Sequence, residues 1–211
     1  MERKAFIVPH GKNPKISIRV IPGHFATSNA HTNHFLDVSY LKSGALAARE
    51  VARELALPYS GTVVETVVCM ENTEVIGAYL AEELMKNGMT AVDGGEVYVV
   101  SPAASVNRKW IFQDNTADLI SDRKVILLVA SISSGRTAES ALECLAYYGG
   151  DVAGISVLFL ASPERLGKEV HALFRAEDIL GYSLTGINGC AMCSSGRKLD
   201  AMINSEGYVK F

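Results

Sequence analysis

Residues 125–130 read VILLVA and lead without a break into Ser131-Ile132-Ser133-Ser134-Gly135-Arg136-Thr137. A strand that is apolar at every position has no solvent face, so it must be covered on both sides. Residues 62–69, TVVETVVC, and 153–161, AGISVLFLA, have the same character. Helical patterns separate them. Ser43 reads as an N-cap, Ala48, Val51, Ala52 and Leu55 recur at helical spacing, and Pro58 stops the run. Residues 74–87 follow as a helix with Ile76, Tyr79, Leu80 and Leu84 as its apolar stripe and Gly88 near its end. Residues 96–101 read as a strand, and 137–148 as a helix ending at Gly149-Gly150. Apolar strands alternating with helices predict an α/β fold with a central parallel sheet and helices on both faces.

Two segments stand outside this pattern. Residues 15–20 read as a short strand, and 24–37, HFATSNAHTNHFLD, as loop and turn. Residues 102–123 are polar and long for a connection inside a compact domain, which marks a candidate functional loop. In a parallel sheet, ligands sit beyond the C-terminal ends of the strands. That rule points at 70–74, 101–123 and 130–137.

The 211 residues suit one domain with a good-sized core. A net charge of −3 gives no bulk attraction for nucleic acid or a membrane surface, so any grip on an anion must be local. No apolar run reaches the length needed to cross a bilayer, and MERKAFIVPHGKNPK is too weakly apolar for a signal peptide. The chain therefore reads as cytoplasmic. Four cysteines in this length do not make a disulfide scaffold; they read as thiols, or as metal ligands where paired.

Ser133, Ser134, Gly135, Arg136 and Thr137 precede a helix. Unsatisfied N–H groups at a helix start bind anions, glycine permits close approach, and an arginine fork suits a phosphate. The competing reading is that the hydroxyls cap the helix. The segment is not a GxxxxGK[ST] loop, and it contains no GxGxxG.

The order of these elements resembles the type I phosphoribosyltransferases, most closely the orotate phosphoribosyltransferases. The resemblance places Ile132 to Thr137 on the family's 5′-phosphate turn. Residues 25–37 resemble a segment running from a Phe to an aromatic and an acid, one residue shorter here. Residues 62–80 resemble the strand, diphosphate loop and helix of the family, and 102–123 lie where its mobile basic loop stands. Cys190, Cys193, Gly196 and Lys198 resemble a tail found on some orotate enzymes. The resemblance implies a single domain over 1–211, with 1–40 and 182–211 as hood and tail. It also implies phosphoribosyl diphosphate or a nucleoside monophosphate as ligand, magnesium as cofactor, a homodimer, and orotate-type transfer in pyrimidine synthesis. By resemblance, Arg108 and Lys109 serve the leaving group, and Glu71, Asn72, Thr73 and Ser131 the ribose or diphosphate, with Glu71 a candidate magnesium ligand.

The chain departs from the family where two acids hold the ribose. Those positions fall on Val129 and Ala130, and Ser131 beside them is neutral. Losing one well-placed electrostatic group costs roughly a hundred- to a thousandfold in rate. The diphosphate loop carries Glu71 and Glu74, which repel an anion unless a cation intervenes. Glu74 also reads as a favourable first-turn acid. An enzyme and a non-catalytic nucleotide binder that kept the cradle are both consistent with these residues.

Cys190 and Cys193 have a chelating spacing, yet zinc takes four ligands. A histidine among His24, His31 and His34, or a second subunit, is needed to complete a site; unliganded thiols and an ordinary polar turn are the alternatives. Cys144 reads as core on a helical face with Ala141 and Tyr148, and Asn107 and Trp110 share the long loop with Arg108 and Lys109.

Overall fold

The computed structural model describes residues 4–86, 95–106, 109–162 and 166–211. In chain order the strands are β1 (Phe6–Pro9), β2 (Ser17–Ala26) and β3 (Ala30–Asp37), followed by helices α1 (Ser39–Ser43) and α2 (Ala45–Ala56). Then come β4 (Thr66–Cys69), α3 (Glu74–Lys86), β5 (Tyr98–Val100), β6 (Ala104–Val106), β7 (Lys109–Ile111) and α4 (Asp114–Ala117). The chain continues through β8 (Lys124–Ile132), α5 (Arg136–Tyr147), β9 (Asp151–Leu160), β10 (Val170–Arg175) and β11 (Leu184–Gly186). It ends with α6 (Ala191–Ser194), β12 (Ala201–Asn204) and β13 (Gly207–Lys210).

The central sheet has the order β10-β9-β8-β4-β5, and every pairing is parallel. Its middle strand shows why the sequence demanded cover on both faces. Side chains alternate along a strand. Val125, Leu127 and Val129 pack with Ala138, Ala141 and Leu145 of α5. Ile126, Leu128 and Ala130 face the other way, into a core with Val51 and Leu55 of α2 and Ile76 and Leu80 of α3. This is the α/β fold expected from the alternation of apolar runs and helices.

Helix α3 lies so close to β4 that only glycine fits at position 77. A Cβ there would stand 2.2 Å from Cys69 Sγ. Gly77 N donates to Thr73 O, which anchors the first turn of the helix to the loop before it.

A second, six-stranded sheet gathers both ends of the chain. Its order is β11-β3-β2-β12-β13, with β1 also on β2. Strand β12 runs parallel to β2, with Ala201 opposite Phe25, while the other pairs are antiparallel. Ile21, Phe25, Phe35 and Ala201 form a small core of its own.

Several local expectations are corrected. Residues 24–26 and 30–37 are strand, and only 27–29 are turn: β2 and β3 pair with each other, and β12 and β11 flank them, so both backbones are satisfied. Ser43 is no N-cap; it ends α1, its hydroxyl donates to Ser39 O, and Gly44 is the N-cap of α2. The α-helix does stop before Pro58, at Ala56, and the chain passes on through a 3-10 turn, Leu57–Tyr59. Strand β4 begins only at Thr66. Residues 102–123 carry the β6–β7 hairpin and the single turn α4. Strand β8 continues two residues beyond Ala130, pairing Ser131 with Phe159 and Ile132 with Leu160. The end proposed for the helix at Gly88 lies outside the described residues.

Candidate functional site

At the C-terminal end of β8 the chain turns through Ser133 and Ser134 to Gly135. Gly135 has φ 71°, a left-handed conformation that glycine adopts without a Cβ penalty, and α5 begins at the next residue. Glu139 N already bonds to Gly135 O. Gly135 itself is the N-cap and no side-chain cap bond is made. The reading in which the hydroxyls cap this helix therefore fails, and the N–H groups of its first turn remain for another acceptor.

This turn borders two adjoining cavities. The larger, about 650 Å³, is lined by Ser131, Ser133, Ser134, Gly135 and Thr137 on one side. Phe35, Phe159, Tyr182, Met202 and Tyr208 form much of its opposite wall. A concave, largely apolar space with a few convergent polar groups is the usual form of a small-molecule site. The smaller cavity, about 480 Å³, is lined by Glu71, Asn72, Glu74, Trp110, Arg136 and Glu206 among others. Ser28, Asn29, Glu71, Thr137 and Ser205 belong to both. Arg136 thus faces the smaller cavity rather than the space beside Ser133 and Ser134, and its Nη1 donates to Asn29 Oδ1 at 3.1 Å.

Glu71 sits where the cavities meet. Strand β4 ends at Cys69, so the N–H groups of β8 beyond that level lose their strand partner. The Glu71 carboxylate takes the place of that partner: Oε2 accepts from Ala130 N at 3.0 Å and Ser131 N at 3.1 Å. Burial pushes the pKa of Glu71 up, while the amides of Ser131 and Ala130 and the charge of Lys42 oppose the shift. Glu71 and Asn72 hold left-handed backbone, φ 59° and 61°, which turns the loop sharply under the end of β8. Non-glycine residues in that region are uncommon and often mark functional turns.

The other residues of this loop divide. Asn72 lines the smaller cavity. Thr73 does not: it is fully buried, and its hydroxyl donates to Met70 O at 2.8 Å and approaches Leu128 O at 3.3 Å. Its assignment to ribose or diphosphate is therefore corrected to a turn-closing one. Glu74 is the first-turn acid of α3 and also lines the smaller cavity, where it accepts from the Ser101 hydroxyl at 2.8 Å. Val129 and Ala130 are both about 1% exposed and point to opposite faces of the sheet, so neither reaches a ligand.

Lys109 is exposed on β7, opposite Val106, and borders neither cavity. Its neighbour Trp110 does wall the smaller one. Asn107 and Arg108 lie outside the described residues. Cys190 and Cys193 line neither cavity and stand beside His24 and His31, whereas His34 lines the larger cavity and bonds through Nδ1 to Asn33 Oδ1 at 2.8 Å. Cys144 is half-buried and donates to Trp110 O.

Sequence reasoning missed Lys42. It is buried, and its Nζ donates to the carbonyl oxygens of Glu71 at 2.9 Å and Ser205 at 2.8 Å. Burial lowers its pKa, and Glu71 is the strongest of the neighbouring carboxylates that oppose the shift. One ammonium group thereby ties the Glu71 loop to the β12–β13 turn, and Glu71 and Ser205 line both cavities. A lysine between Leu41 and Ser43 gives no sequence signal of this. The tail residues Met202, Ser205 and Tyr208 were missed too, because nothing local says that the C-terminal hairpin folds back over β2.

No family model and no characterised protein sequence matches the chain. Solved structures do. UMP synthase of Leishmania donovani aligns with a TM-score of 0.56 and 18% identity over 75% of this chain, which spans only 34% of that longer protein. Orotate phosphoribosyltransferase of Mycobacterium tuberculosis, in complex with Fe(III) dicitrate, aligns with a TM-score of 0.53 and 11% identity, covering 75% of this chain and 90% of that one. An adenine phosphoribosyltransferase of Giardia lamblia, complexed with 9-deazaadenine, gives 0.51 and 16%, covering 82% and 94%. Identities this low speak for architecture rather than chemistry. Among the described residues no helix is long and apolar enough to cross a membrane. The parallel five-stranded sheet with helices on both faces, and the mixed sheet beside it, are the fold of the type I phosphoribosyltransferases.

Proposed function

We propose that the chain binds a phosphoribosyl compound, either phosphoribosyl diphosphate or a nucleoside monophosphate. The observation that carries this reading is the uncapped start of α5 at Gly135, opening on the rim of both cavities. The 5′-phosphate sits on Ser133, Ser134, Gly135 and Thr137. The sugar and a flat base fill the larger cavity against Phe35, Tyr182 and Tyr208. A diphosphate takes the smaller one, with Arg136 as its cation.

Magnesium fits this second space by its donors. Glu71, Glu74 and Glu206 are carboxylates around a cavity with a single arginine. Magnesium is commonly held by one or two carboxylates together with substrate phosphates. When bound it neutralises the diphosphate. The protein's own part is to hold Glu71 in place through two amides and Lys42, so that a carboxylate stands beside the sugar although β8 supplies none. On this reading the reaction is orotate-type phosphoribosyl transfer, with Arg136 the cation on the wall of the leaving group's cavity.

A second reading, a nucleotide binder without turnover, draws on Val129 and Ala130. Both acid positions are filled by core side chains, and the one replacement carboxylate is itself disfavoured as an anion by burial. Calorimetric titration with phosphoribosyl diphosphate, with and without magnesium, beside orotidine and uridine monophosphates, tests the common part. Diphosphate release with orotate or adenine then separates the two readings. If neither phosphoribosyl diphosphate nor a monophosphate binds, the proposal falls.

A further inference from the structure

Away from both cavities, four side chains converge where the tail meets the β2–β3 hairpin. His24 on β2, His31 on β3, Cys190 just before α6 and Cys193 within it each place one ligand atom within 4.8 Å of all the others. His24, His31 and Cys190 are buried. His24 Nε2 lies 3.3 Å from His31 Nδ1, 3.4 Å from Cys190 Sγ and 3.7 Å from Cys193 Sγ. Cys193 Sγ lies 3.2 Å from His31 Nδ1.

These separations have a geometric meaning. Zinc binds nitrogen at about 2.0–2.1 Å and thiolate at about 2.3 Å, so the edges of a tetrahedral two-nitrogen, two-sulfur set are about 3.3–3.8 Å. Three of the four contacts fall in that range and the fourth, at 3.2 Å, lies just below it. The tautomer of His24 agrees. Its Nδ1 faces the carbonyl oxygens of Arg197 at 2.9 Å and Lys198 at 3.2 Å, which can only accept. Nδ1 therefore carries the ring proton, and Nε2 turns its lone pair toward the other three atoms. A metal-bound histidine is commonly oriented in this way by a carbonyl on its far nitrogen.

We propose that His24, His31, Cys190 and Cys193 bind a structural zinc ion that fastens the tail to the hairpin. Four protein ligands leave no open position for water or substrate, which separates this ion from any catalytic one. Its place in the fold gives it a task. Directly after the cluster, His24 N donates to Asp200 Oδ2 at 2.7 Å, and Ala201 pairs with Phe25. The ion thus sets the register in which the tail enters the outer sheet, and with it the positions of Met202 and Tyr208 on the wall of the larger cavity.

Metal analysis of the purified full chain, prepared with reductant and without chelator, tests this directly. The expected content is about one zinc per chain. Exchange for cobalt should give the visible absorption of a tetrahedral site with thiolate-to-metal charge transfer. Cys193→Ser and His31→Gln should each lose most of the metal. Cys193 is exposed, so its variant is expected to retain the circular dichroism of the central sheet and helices. Removal of the metal should speed amide exchange in residues 24–32 and 201–204 and leave 124–132 unchanged. A wild-type protein that holds no zinc and shows no charge transfer with cobalt overturns the proposal. So does a Cys190–Cys193 disulfide in the reduced preparation, or a zinc content that survives both variants. If a variant fails to fold, the wild-type stoichiometry and the cobalt spectrum still decide.

Discussion

The two sheets of this protein solve the burial problem in opposite ways. The central sheet is apolar at nearly every inner position, and each strand of its core finds a helix on either face. Apolar burial contributes roughly 25 cal/mol per Å² and asks no directional partner, so these strands need only cover. The outer sheet buries His24, His31, Thr32 and His34 within its two longest strands. Buried polar groups must be hydrogen-bonded or coordinated to be tolerated. Thr32 and His34 find partners on β3 itself, but those of His24 and His31 come from far away: the carbonyl on His24 Nδ1 belongs to Arg197, 173 residues along the chain. The central sheet is held by quantity of contact, the outer one by a small number of specific long-range bonds. The candidate site lies between them, with the Ser133–Gly135 turn on the first and Phe35, Met202 and Tyr208 on the second.

Four substitutions probe that contrast, and the largest effect is expected in the central sheet. Gly77→Ala forces a Cβ against Cys69 Sγ and should cost about 3 kcal/mol, the upper part of the overpacking range. Thermal unfolding would show it, and Cys69→Ala in the same chain should restore much of the loss; simple additivity of the two would contradict the contact.

Lys42→Met tests the link between the sheets. It leaves the carbonyl oxygens of Glu71 and Ser205 without their donor, at about 2 kcal/mol. Denaturant unfolding measures the loss, and a parallel drop in ligand affinity would show that the link shapes the cavities. Arg136→Ala should leave stability almost untouched and weaken diphosphate or monophosphate binding by about tenfold, in line with a charged hydrogen bond of roughly 1.5 kcal/mol. Unchanged affinity would remove Arg136 from the site.

The smallest effect is the pH dependence of Glu71. Its folded pKa is raised, so the folded state holds the proton more tightly than the unfolded chain. The stabilisation this gives is full below the unfolded carboxylate value of about 4.3 and is lost as pH rises through the higher folded pKa. Glu71→Gln should therefore flatten that fall in stability. A variant with the same pH profile as the wild type would mean that the carboxyl is not held by burial as described.

Much of the central sheet is legible without coordinates. The VILLVA run, the helical spacing after Thr137 and the Gly149-Gly150 stop correspond to β8, α5 and the turn into β9. What shifted there was the strand end: Ser131 reads as turn and the resemblance puts Ile132 in it too, yet β9 offers both ladder partners. The segment 24–37 was illegible for a different reason. Buried histidines disfavour a strand unless partners exist, and those of His24 and His31 include tail residues. Thr73 and Glu71 make the same point within one loop. Adjacent in type and spacing, one hydroxyl turns inward to close a turn while one carboxylate reaches the amides of β8, and only the end of β4 explains why.

Sequence alone determined what depends on local pattern: the alternation of apolar strands and helices, a parallel sheet buried on both faces, and a glycine turn into a helix after its middle strand. Those follow from periodicity and from the chemistry of backbone groups at a helix start, which act over a few residues. Tertiary structure decided which carboxylate stands beside that turn, which lysine holds it there, and how His24, His31, Cys190 and Cys193 come together. These are meetings between residues from distant parts of the chain. Their energy comes from direction and distance in space, which no local pattern records.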